Sequence, residues 1–140
     1  MPRDTARAMS QENMNVDTLR AVLDAYNRCD FDAVGEAADP EIVLVPPGGQ
    51  GPIKGADKLR KWMEPDAFES QVVEPLEFRA AGNKVLVRSR TKIRGAGSGI
   101  EMELLIWGVW TFNEAGRTIR VEIYLDHEEA RALEAAGLRE

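Results

Sequence analysis

Thr118-Ile119-Arg120-Val121-Glu122-Ile123-Tyr124-Leu125-Asp126 is the stretch whose reading decides the fold. Ile119, Val121, Ile123 and Leu125 form one file, and Arg120, Glu122, Tyr124 and Asp126 form the other. Extended backbone sends successive side chains to opposite faces, so this is a strand with one apolar and one polar face. The turn Asn113-Glu114-Ala115-Gly116 joins it to Glu101 through Phe112, a run of the same length class with looser alternation. Upstream, the alternation predicts strands over Gln71 to Ala80 and Lys84 to Arg94, joined by the turn Ala81-Gly82-Asn83. The glycine-rich Gly95-Ala96-Gly97-Ser98-Gly99 connects two strands and opens no helix, so it is no phosphate cradle. Downstream, Glu128 to Ala136 reads as a closing helix with Gly137 as its cap.

The first half has a different period. Leu19, Val22, Leu23 and Tyr26 recur at helical spacing and predict a helix from about Gln11 to Arg28. Residues Met1 to Met9 show no periodicity and read as a loose tail before one domain over 10–140. Asp30 is placed to cap a short helix whose Phe31, Val34 and Ala38 face inward and which Pro40 stops. Glu41 to Val45 reads as a strand, Pro46 to Pro52 as a loop, and Ala56 to Met63 as a third helix, with Pro65 at its end or at a kink. Helices first and an antiparallel meander after them make an α+β fold, with helices on one face of a curved, mainly antiparallel sheet.

The chain of 140 residues is long enough to bury a core. Its net charge of -6 argues against phosphate-backbone binding, so no nucleic acid is expected, and against adhesion to anionic membranes. Arg88, Arg90, Lys92 and Arg94 alternate along one strand and are expected to pair with Glu101 and Glu103 on the next. The one cysteine, Cys29, permits no internal disulfide and fits a cytoplasmic protein. With a single histidine, His127, a Cys/His zinc site is implausible, and no metal or other cofactor is expected.

The order of elements resembles the SnoaL-like and ketosteroid-isomerase-like branch of the nuclear transport factor 2 superfamily. The likeness is carried by Ala25 to Ala33, Asp39-Pro40-Glu41-Ile42, Gly55-Ala56-Asp57, Val109 to Phe112, Gly116 to Ile119, Tyr124-Leu125-Asp126 and Ala132 to Leu138. The resemblance implies a conical half-barrel, a bent sheet wrapped on helices with a cavity at the open end (the cystatin-like topology), and a homodimer. It also implies chemistry on carbonyl compounds, such as isomerisation or cyclisation. Ketosteroid isomerases combine an oxyanion-binding tyrosine and neutral aspartic acid with a carboxylate base. By resemblance these positions fall on Val22, Gly108 and Val45, none of which can do that work.

The same resemblance turns Val87, Ser89, Thr91 and Ile93 inward, together with Leu104, Ile106, Gly108 and Trp110, and with Val121, Ile123 and Leu125 on the last strand. Val22, Tyr26 and Trp62 reach the cavity from the helices. The expected partner is therefore a small apolar or aromatic molecule; the alternative is a core filled by the same side chains. Tyr26 is the candidate donor and Asp126 the nearest candidate acid, although its parity sets it with Arg120 and Glu122 away from the apolar file. Leu105, Trp107, Val109 and Tyr124 are expected on the outer face as a dimer contact. Three readings follow: an isomerase or cyclase acting on a carbonyl compound, a non-catalytic ligand-binding or dimerisation module, and an epoxide hydrolase. The last needs two carboxylates and an arginine in the cavity, which the inward files do not supply.

Overall fold

The computed structural model describes residues 3–47, 51–63, 68–95 and 97–138. Helix α1 (Arg3–Asn27) and helix α2 (Phe31–Glu36) come first, followed by strands β1 (Ala38–Val45) and β2 (Ile53–Lys54) and helix α3 (Ala56–Met63). Strands β3 (Phe68–Ala81), β4 (Lys84–Gly95), β5 (Glu101–Phe112) and β6 (Thr118–Leu125) follow, then a 3-10 turn (Asp126–Glu128) and helix α4 (Glu129–Ala136). The strands form one six-stranded sheet in the order β2-β1-β6-β5-β4-β3. Its pairs are antiparallel except β1 with β6, where Leu44 lies opposite Val121. The expected α+β architecture, helices followed by an open, mainly antiparallel sheet, is the one observed.

Several local expectations shift. α1 begins at Arg3, so the segment read as a loose tail carries helical backbone; Thr5 through Glu12 contains no glycine or proline to stop a helix. Asp30 caps α2 through its carboxylate, which accepts from the Ala33 N–H at 3.2 Å. That helix ends at Glu36, and Ala38 already belongs to β1, so Pro40 sits within a strand and stops no helix. Proline is tolerated there because the β1–β6 register is irregular between Ala38 and Val43. The two-residue strand β2 was not foreseen in a stretch dominated by proline and glycine. Pro65 lies outside the described residues.

Three devices close the inner layer. α1 sets Leu19 and Leu23 against Val85, Val87 and Phe112, and these make the sealed end of the fold. The Asn27 amide pairs with the backbone of β3 at Val73, donating to its carbonyl and accepting from its N–H, both at 2.8 Å. An amide side chain thus stands in for a strand and pins the end of α1, where Tyr26 lies, to the sheet. Asp32 and Arg60 form an ion pair between α2 and α3.

The outer face is not bare. The 3-10 turn reverses the chain, and α4 lies across Leu86, Trp107 and Val109, with Ala132 and Ala136 small enough to bring the helix close. Gly137 ends α4 at φ 75°, and the Lys84 ammonium donates to the Ala135 carbonyl at 2.8 Å. Trp107 and Val109, expected to lie open on a monomer as a dimer contact, are therefore buried beneath α4 of their own chain. Tyr124 packs beside them and donates to the Glu122 carboxylate at 2.8 Å. Burial, and then that carboxylate, pushes the Tyr124 phenol up to about 12. Leu105 is half-buried in the file beyond α4. There the expected ion ladder forms: Arg90 meets Glu103 at 2.7 Å and Glu74 at 3.4 Å, and Arg94 meets Glu101 at 3.9 Å.

Candidate functional site

A cavity of about 120 Å³ lies between the inward sheet face and the helices. α1 contributes Val22, Leu23 and Tyr26, α2 contributes Val34, and α3 contributes Leu59, Trp62 and Met63. The opposite wall holds Val87, Ser89 and Thr91 from β4, and Ile106, Gly108 and Trp110 from β5. Val121 and Ile123 continue it on β6. Gly108 keeps the wall thin. A Cβ there would stand 3.1 Å from Val87 Cγ1 and 3.2 Å from the Trp110 indole nitrogen, so the ring lies against bare backbone.

Most of the residues expected from sequence to face the cavity line this space, and three do not. Ile93, Leu104 and Leu125 share the inward files but lie nearer the strand ends, beyond the chamber. Asp126, the expected acid, is outside the chamber as well. Its carboxylate takes a 2.6 Å contact from Arg88, whose guanidinium lies 4.2 Å from the centre of the Trp107 ring. The Trp107 indole donates to the Asp126 carbonyl at 3.2 Å. Asp126 thus clamps the end of β6 to the outer face, as its parity implied. The exposed His127 sits in the same turn.

The chamber also holds residues that the sequence reading missed. Gln71 and Val73 of β3 line it, as do Ala38, Ile42 and Leu44 of β1 and Thr118 of β6. Thr118 owes its place to a register shift between β5 and β6: Phe112 pairs with Thr118 while Thr111 pairs with Arg120. One extra residue, Ile119, loses its place in the inward file. On β1 the inward file is Ile42 and Leu44, so Val45 lies off the cavity wall. A second shift in β3 falls between Pro75 and Glu77, where proline cannot donate to the ladder and Leu76 is extruded to solvent. Two residues opposing one is a signal that strict alternation cannot carry.

The chemistry of the lining is simple. Among the described residues it contains no Asp, Glu, His, Lys or Arg. Its polar groups are Tyr26, Gln71, Ser89, Thr91 and Thr118. The buried hydroxyls of Thr91 and Thr118 have no hydrogen-bond partner among the described residues. Tyr26 packs its ring on Phe31 with centroids 5.8 Å apart, and burial, reinforced by Cys29, raises its phenol above the usual value. It is a neutral donor at physiological pH. Among the described residues no cluster of His, Cys, Asp and Glu is placed to hold a metal ion, and no helix is long and apolar enough to cross a membrane.

With fold and site in hand, comparison with known proteins places the chain. The sequence profile of the SnoaL-like domain matches residues 19–121, and the protein belongs to that family. No curated protein sequence gives a significant match. Among solved structures, a proposed polyketide cyclase from Sinorhizobium meliloti is 31% identical, with a TM-score of 0.60 over 76% of this chain and 93% of that one. An NTF2-like protein of unknown function from Burkholderia pseudomallei is 22% identical, with a TM-score of 0.72 over 85% of this chain and 96% of that one. An LEH-like epoxide hydrolase from M. tuberculosis is 18% identical, with a TM-score of 0.71 over 91% of this chain and 94% of that one. The latter two likenesses establish fold alone.

Proposed function

We propose that this SnoaL-like domain encloses a small, neutral, largely apolar molecule carrying a carbonyl or hydroxyl oxygen. The observation that carries the reading is a lining that, among the described residues, holds no charged side chain and only a few polar groups, those of Tyr26, Gln71, Ser89, Thr91 and Thr118. One ligand oxygen meeting such a group gains about one hydrogen bond, roughly 0.5–1.5 kcal/mol. A charged ligand group here would lose its hydration with no counter-ion to replace it. Size narrows the class further. An apolar cavity of roughly 150 Å³ accepts benzene, so a chamber of about 120 Å³ suits a single ring or a short aliphatic and is too small for a steroid.

Tyr26 supports a second reading, cyclisation or isomerisation of a carbonyl compound. A phenol held neutral by burial can polarise a carbonyl, while confinement holds the reacting atoms close. Epoxide opening by paired carboxylates finds no support in this lining. Acetophenone is a suitable probe by calorimetry. Its affinity is expected to fall roughly 5- to 10-fold in Tyr26→Phe, the weight of one hydrogen bond. The pH profile follows from the same groups. Tyr26 is the one lining residue that titrates as an acid with a raised value, so its neutral donor form persists as pH rises past its ordinary 10.0. Affinity should vary less than about twofold between about pH 5 and about pH 9. A sigmoidal change inside that window would place a titrating group in the chamber and defeat the reading.

A further inference from the structure

The inward file of the sheet does not end where the chamber ends. Along β4, Val85, Val87, Ser89 and Thr91 are all buried, and Ile93 beyond them is half-buried. Along β5, Phe112 is sealed, Ile106 is half-buried, Leu104 is 41% exposed and Met102 is 50% exposed. The register ties these together: Thr91 lies opposite Leu104, and Ile93 opposite Met102. From Ile106 to Met102 the strip runs roughly 13 Å at the rise of a β-strand. Trp62, a chamber residue on α3, is itself 41% exposed.

The opposite side chains of the same strands make the contrast. Arg90 and Glu103, on the outer face, are paired charges. The inner positions remain apolar although solvent reaches them, unlike the charged positions opposite. The strip is continuous with the chamber. The strip adjoins the chamber at Thr91 and Ile106, so a ligand longer than one ring can extend along it. We infer that Met102, Leu104 and Ile93 form an outer subsite for an alkyl chain carried by the chamber's own ligand. The domain then takes an elongated amphiphile, with its ring or carbonyl end enclosed and its hydrocarbon tail laid along β5. The inference rests on the chamber reading above.

A homologous series separates the two. Phenyl alkyl ketones, from acetophenone upward in chain length, are titrated into the full chain and into Met102→Ser/Leu104→Ser, with circular dichroism and mass in solution recorded for both. In the parent, affinity should rise roughly three- to fourfold per methylene over the first several members and then level off. In the double variant the rise should be largely lost, while acetophenone binds as before. If acetophenone binds but affinity is independent of chain length in the parent, the outer subsite is wrong and the chamber reading stands. If the rise survives in the double variant, the tail lies elsewhere and the subsite is wrong. If no ketone binds a folded parent, the chamber reading falls and takes the subsite with it. If the double variant changes oligomeric state while the chain-length dependence is unaltered, the strip is a contact between copies of the chain and the inference is overturned.

Discussion

Replacing Trp107 by alanine is expected to destabilise the protein by about 3–5 kcal/mol, read from the denaturant midpoint at unchanged slope. The indole is buried between the sheet and α4, stacked under Arg88 and hydrogen-bonded to the Asp126 carbonyl. Its loss empties a site that Ala132 and Ala136 are too short to fill, and frees the turn that delivers α4 to the sheet. Backbone amide exchange in α4 should accelerate before that in β4 does. A loss below about 1 kcal/mol, with α4 still protected, would mean that the helix is docked by something else.

Filling the chamber has a different signature. Val121→Phe is expected to lower acetophenone affinity by roughly tenfold or more while costing about 1–3 kcal/mol of stability, because ring and ligand compete for one volume. Val121 is buried, faces the chamber and stands opposite both Leu44 and Trp110, so the new ring has no other direction to take. Unchanged affinity in a variant that melts near the parent temperature would show that the ligand sits elsewhere.

Much of this architecture was legible because its strands follow the period of two. Alternation predicts β4 and, more loosely, β5, and the resemblance turns Val87, Ser89, Thr91, Ile106 and Trp110 inward, where they line the chamber. The misreadings fall where an extra residue breaks the period. At Ile119 the shift hands the inward place to Thr118. Gln71 falls in the expected strand, but its place in the chamber follows from edge strand β3 pairing with β4 at Ile93, which no local pattern carries.

The outer face failed for another reason. The closing helix was recognised, but nothing in its sequence says which side of the sheet it will cover. That is settled by the Asp126–Glu128 turn and by the Arg88 and Trp107 contacts that hold Asp126. Trp107 was therefore read as a subunit contact when it is a core residue. Asp126 lies on the face that its parity implies, held by Arg88 and Trp107. The size of the chamber had no sequence signal, because it depends on how Trp110 rests on Gly108.

Methyl-resolved NMR during an acetophenone titration tests the uncharged chamber most directly. Saturable shifts are expected at Val22, Val87, Val121, Ile106 and Ile123, and none at Leu86 and Val109 beneath α4. Shifts confined to the outer-face methyls, or no saturable shift at any methyl, would contradict it.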